Sequence, residues 1–152
     1  IWLDLLSEES LRKKKSKYVG TEKIIVKHEE KDLTILKESR NLKNVFEKIR
    51  NFDYKRAIIV KKFFDDMKKN LISVYDKLNN NGYYIVVIGD SRIRKVKVES
   101  SKIISEIAVK LGFELELEFS YIIQNPYINI PRKGKGGKIS IDNVIVLKKV
   151  VK

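Results

Sequence analysis

The chain has 152 residues, the size of one globular domain, and 43% of them are hydrophobic, as in chains that fold. It contains no cysteine and a single histidine, His28, which excludes disulfides and thiolate metal sites and argues against zinc or a Ser-His-Asp triad. Lys and Arg number 33 against 20 Asp and Glu, a net charge of +13. Such an excess favours a polyanionic partner, because each phosphate neutralised releases condensed counterions.

A surface laced with Lys–Glu ion pairs is the competing reading of that charge, although such a surface would lie nearer balance. No apolar run approaches the roughly 18 residues that span a bilayer. The opening Ile1-Trp2-Leu3-Asp4-Leu5-Leu6 lacks a basic leader and a cleavage site, so a cytoplasmic protein with no membrane partner is expected. The chain begins at Ile1 and its only methionine is Met67, which leads us to expect further sequence upstream.

Residues 1–31 combine an apolar patch (Trp2, Leu3, Leu5, Leu6) with a basic cluster from Arg12 to Lys17. The patch suits a helix end packed on a core. The cluster suits a solvated or nucleic-acid-facing segment. Residues 32–52 read as a charged helix with Leu36, Leu42, Val45, Phe46 and Ile49 on its apolar side.

Val60, Phe64, Met67, Leu71, Val74 and Leu78 form one stripe at helical spacing, predicting a helix from about Asp53 to the turn Asn79-Asn80-Asn81-Gly82. Tyr83–Ile88 is apolar on both faces, the mark of a strand inside an α/β sheet. A basic loop, residues 89–99, follows with Arg92, Arg94, Lys95 and Lys97. The next helix runs from an N-cap at Ser100 or Ser101 to Gly112 and buries Ile103, Ile104, Ile107, Ala108 and Leu111.

Phe113–Phe119 alternates strictly, predicting a strand over 113–120 with one buried and one wet face, as at a sheet margin. A second basic loop, residues 120–138, holds Arg132, Lys133, Lys135 and Lys138 among glycines. The last strand, 139–148, carries the two-sided apolar run Val144–Leu147. It should therefore lie between 83–88 and 113–119 and antiparallel to both, leaving 113–119 at the edge.

That arrangement resembles the second half of the class I S-adenosylmethionine-dependent methyltransferase fold, a Rossmann-like α/β sheet whose last strand inserts antiparallel before the edge. Local sequence is similar too. Tyr75–Tyr83 stands at the family's helix-to-strand turn, with asparagines in place of a proline and a glycine. Val86-Val87-Ile88-Gly89-Asp90-Ser91-Arg92 resembles the strand end and loop of amino-group DNA methyltransferases. Gly112-Phe113 resembles the helix stop before the sixth strand, and Trp2-Leu3 with Leu11–Lys14 the segment after the catalytic motif.

The family's Phe-x-Gly-x-Gly cofactor loop and its Asp/Asn/Ser-Pro-Pro-Tyr/Phe motif are absent from residues 1–152. Asn125-Pro126-Tyr127 has one proline and follows the wrong strand, so it is not expected to be catalytic. The resemblance implies that residues 1–152 are the carboxy-terminal part of one methyltransferase domain. S-adenosylmethionine would be bound mainly outside this chain, which would be inactive alone and hold neither catalytic nor metal-binding residues. The missing half would come from sequence upstream or from a second chain.

The substrate so implied is an adenine or cytosine amino group in DNA, reached by base flipping. An RNA methyltransferase and a non-catalytic nucleic-acid-binding subunit are the alternatives. Ligands of open α/β sheets bind at the carboxyl ends of the strands, where both basic loops are expected to open. The candidate nucleic-acid contacts are therefore Asp90, Ser91, Arg92, Arg94, Lys95, Lys133, Lys135 and Lys138, with Asp90 and Ser91 equally readable as turn-capping residues. Tyr121 and Tyr127 are readable as base-stacking or as packing residues.

Overall fold

Two capping side chains organise the first half of the chain. Ser39 accepts a hydrogen bond from the Leu42 amide at 2.9 Å and starts α2, Arg40–Arg50. Asp53 accepts one from the Arg56 amide at 3.0 Å and starts α3, Tyr54–Lys77. Each satisfies a backbone donor that has no partner within its helix. The computed structural model describes residues 10, 14–15, 18–124 and 140–150; the Trp2–Leu6 patch and most of the Arg12–Lys17 cluster lie outside them.

A single turn, α1 (Val26–Glu29), and a 3-10 turn, Thr34–Lys37, precede α2. The one helix expected over 32–52 is thus two pieces, because the Ser39 cap begins a new helix. The elements after α3 are β1 (Tyr83–Gly89), β2 (Ser91–Ile93), β3 (Val96–Val98), α4 (Ser100–Lys110), β4 (Phe113–Ile122) and β5 (Ile141–Lys149).

The main sheet has the order β1–β5–β4, with β5 antiparallel to both neighbours. The final strand lies between the other two, as its two-sided apolar character predicts. No strand pair among the described residues is parallel, so the fold is mixed α/β with an antiparallel sheet and a separate β2–β3 hairpin. That hairpin replaces the loop expected over 89–99.

Helices cover one face of the sheet. Ile103, Ile104 and Ile107 of α4 meet Val86, Ile145 and Leu147 of the strands in one buried cluster. Phe46 and Ile49 of α2 and Ile58, Phe64 and Leu71 of α3 complete that core. Tyr75 of α3 stacks edge-on against Phe113, with ring centres 4.9 Å apart. Gly112 ends α4 at φ +104°, and a Cβ there would lie 3.0 Å from the Tyr75 hydroxyl, so this helix stop admits only glycine without strain.

The opposite face is open. Tyr83, Ile85 and Val87 of β1 and Leu117, Phe119 and Tyr121 of β4 are 46 to 58% exposed. They flank Val146 and Val144 of β5, in register Ile85–Val146–Leu117 and Val87–Val144–Phe119. The strict alternation of β4 predicts one buried and one wet face, but a bulge between Leu115 and Leu117 transfers the apolar side chains from one face to the other. Of that series only Phe113 is buried. β1, apolar on both sides as an interior strand would be, stands at the edge of the described sheet.

Candidate nucleic-acid interface

β1 delivers the chain to the end of the sheet at Gly89, which lies opposite Asp142 of β5. Tyr121 of β4 faces the same Asp142. The Ile123 amide bonds to the Ser140 carbonyl at 2.9 Å, so the segment between β4 and β5 leaves from this end. Both basic segments therefore depart from one rim. Lys133, Lys135 and Lys138, with Arg132, Asn125, Pro126 and Tyr127, lie outside the described residues.

Asp90 is the hub of the rim. Its Oδ1 accepts the Ser100 amide at 3.1 Å, capping α4, and the Asn143 side-chain amide at 3.2 Å. The Asn143 Oδ1 in turn accepts the Ser120 hydroxyl at 2.7 Å. This polar row crosses the ends of β1, β5 and β4 and holds Asn143, which is 8% exposed. The expected N-cap at Ser100 or Ser101 is thus supplied by Asp90 from ten residues earlier in the chain. Ser91 lies in the hairpin opposite Val98.

The hairpin turn places Arg94 and Lys95 at φ +50° and +67°. Hairpins with two-residue turns need this left-handed backbone, usually from Asn or Gly, so two long cations here carry strain that something must hold. Asp53 holds it: Arg94 donates from Nε at 2.9 Å and from Nη2 at 2.6 Å to Asp53 Oδ2. The guanidinium, with the Arg56 amide, keeps the Asp53 carboxyl below the usual aspartate range. The hairpin tip is so tied to the start of α3.

Lys97 lies 3.2 Å from both Asp90 and Glu99, and these two bonds raise its pKa above the ordinary lysine value. Arg92 and Lys95 have no ion pair among the described residues and are exposed. Among the described residues they are the rim cations most available to a phosphate. Tyr121, 46% exposed, donates its hydroxyl to Asp142 at 3.1 Å, and that carboxylate pushes the phenol pKa up. Its ring remains presented on the open sheet face.

Beside the rim a cleft of about 450 Å³ runs between α3 and the end of β1, bounded by Gly20, Ile59, Phe63, Val87, Gly89 and Ser91. It is largely apolar and reaches the last residues of β1. Among the described residues no group of His, Asp and Glu is placed to hold a metal ion, and no helix is long and apolar enough to cross a membrane.

The polar row from Asp90 to Ser120 and the Asp53–Arg94 tie went unforeseen in the sequence. The hairpin did leave a signal: Ser91-Arg92-Ile93 and Val96-Lys97-Val98 alternate around Arg94-Lys95. Comparisons with protein families, with curated proteins and with solved structures find no match for this chain.

Proposed function

We propose that the chain is the carboxy-terminal half of a class I S-adenosylmethionine-dependent methyltransferase that modifies an exocyclic amino group of adenine or cytosine in DNA. The observation that carries this reading is the strand order β1–β5–β4, with the last strand antiparallel between the other two. Two further features support it. β1 has interior character but stands at the edge of the described sheet, and six large apolar side chains on the sheet's second face are about half exposed. A sheet in this state calls for another strand beside β1 and helices over the bare face, which the cofactor-binding half of such a fold would supply.

In this reading the chain's own residues bind and orient. Arg92 and Lys95 meet backbone phosphates, while Asp90 and Asn143 fix the strand ends from which both basic segments leave. The Gly-rich loop and the Pro-Pro-Tyr/Phe motif belong to polypeptide outside this chain. When bound there, S-adenosylmethionine supplies the electrophilic methyl group. In this reading the catalytic residues lie with those motifs.

The test is to express the genomic segment encoding this chain, with its neighbours, in a host free of DNA methylation, and to measure modified nucleosides in the digested DNA. N6-methyladenine or N4-methylcytosine is the expected product. Methyl groups in RNA alone would move the substrate to RNA. Their absence from both nucleic acids, with the protein folded and expressed, would leave a non-catalytic binding subunit.

A further inference from the structure

Far from the rim, a second cleft of about 900 Å³ opens between the 3-10 turn, the start of α2 and the last turns of α4. Its floor is apolar: Leu33, Leu36, Val109 and Leu115 line it, and Val109 is 53% exposed. Cations ring it, namely Lys37, Arg40, Lys43 and Lys110. We propose that this cleft binds an anionic amphiphile, a small molecule with an acyl or aromatic body and a carboxylate or phosphate head.

The charge pattern carries the assignment. Two carboxylates also line the cleft, and both are already occupied. Glu38 takes Lys68 at 2.7 Å and Lys110 at 3.8 Å, contacts that hold its carboxyl below the usual glutamate range. Glu106 accepts the Ser39 hydroxyl, the Asn41 side-chain amide at 2.5 Å and the Asn41 backbone amide at 3.4 Å. Lys37, Arg40 and Lys43 have no ion pair among the described residues. Lys110 is engaged by Glu38 and the Lys37 carbonyl, and the Glu106 charge is held by the neutral donors of Ser39 and Asn41, which leaves three cations uncommitted over an apolar floor. Such a trough is complementary to a ligand with one apolar end and one anionic end.

The site size suits a single small molecule, since such pockets run from roughly 300 to 1,000 Å³. Its place also separates it from the nucleic-acid rim. α4 starts at the rim, where Asp90 caps it, and reaches the cleft only in its second half. Occupancy would bridge α2, α4 and β4, adding to the Glu106 hydrogen bonds that already join α4 to the start of α2.

The experiment is calorimetric titration of the chain with laurate and with lauryl phosphate, each well below its micelle-forming concentration. Dodecanol and dodecyltrimethylammonium are the comparison ligands. One equivalent of an anionic ligand should bind, with the cationic one at least about tenfold weaker, a difference of about 1.4 kcal/mol. Arg40→Glu with Lys43→Glu should weaken the anion at least about tenfold, as should Val109→Glu, whose side chain is exposed enough to leave the fold intact.

Ile85→Asp and Phe119→Asp, on the bare sheet face, should change nothing. Preference for laurate over lauryl phosphate, or the reverse, names the head group. Binding at several equivalents that the sheet-face variants remove, equal binding of the cation, or no binding by a folded chain would each overturn the proposal.

Discussion

Lys61 is the residue whose position most defies its type. It sits on α3 at 2% exposure, bonded to Asp65 one turn on, with Glu29 Oε2 at 3.9 Å and the Glu29 carbonyl at 3.2 Å. Desolvation pushes the Asp65 pKa up against the pull of Lys61. A buried pair of this kind adds little net stability, but breaking it leaves an uncompensated charge. We expect Asp65→Ala to destabilise by about 3 kcal/mol. Lys61→Met with Asp65→Leu should come out within roughly 1 kcal/mol of the parent, since an apolar pair of similar volume replaces the ion pair. Urea denaturation of both variants decides it; equal losses would mean the pair itself is stabilising.

At the same scale, Asp53 links pH to the hairpin. Its folded-state pKa lies below the ordinary 3.8, chiefly through Arg94. Its contribution is therefore present above pH 3.8 and is lost as pH falls through the lower folded value. Arg94→Gln should cost about 0–1 kcal/mol near neutral pH, as Arg94 is 43% exposed. The variant should then lose stability less steeply than the parent as pH falls below 3.8. Identical acid slopes in urea melts at several pH values would contradict the linkage.

Among elements, β4 carries the main lesson. Its alternation is plain from Phe113 to Phe119, yet the bulge at Leu115/Leu117 hands the pattern to the other face. A bulge adds one residue without changing composition, so no periodicity reveals it. The order of strands was legible because Val144–Leu147 is apolar at consecutive positions, as in the interior strand of a sheet, although one of its faces is bare here. The break before α2 was legible in principle at Ser39. Asp90 was readable as a turn-capping residue, but not its target, since the α4 amide it caps lies ten residues on and is met through space. Likewise, nothing in the spacing pairs Arg94 with Asp53, 41 positions away.

The bare face makes its own prediction. An apolar patch with six large side chains roughly half exposed is more than isolated soluble domains usually present. Ile85→Ser with Phe119→Ser should therefore raise the solubility of the isolated chain and change its stability by no more than about 1 kcal/mol. Light scattering and urea melts give the answer. A loss of several kcal/mol would show that this face is already packed.

For the whole molecule, the charge of +13 admits two accounts: a diffuse cloud, or a focused rim at the carboxyl end of β1. The structure refines which cations belong in the comparison. Arg94 is engaged by Asp53, so Arg92 and Lys95 represent the hairpin, with Lys133 and Lys135 from the second basic segment. Lys61, Lys62 and Lys68 on α3 are tied to carboxylates and make poor controls. Lys27, Lys31, Lys48 and Lys77 are exposed and serve better.

The decisive measurement is duplex DNA affinity against salt for the parent chain and two quadruple charge reversals to Glu. Four phosphate contacts at the rim predict a slope of log affinity on log salt of about −3.6, from roughly −0.9 per contact. Reversal of Arg92, Lys95, Lys133 and Lys135 should flatten the slope by about that much, whereas reversal of Lys27, Lys31, Lys48 and Lys77 should leave most of it. Equal loss in both variants would contradict the account, because the charge would then act as a cloud and the sheet's rim would not be the nucleic-acid face.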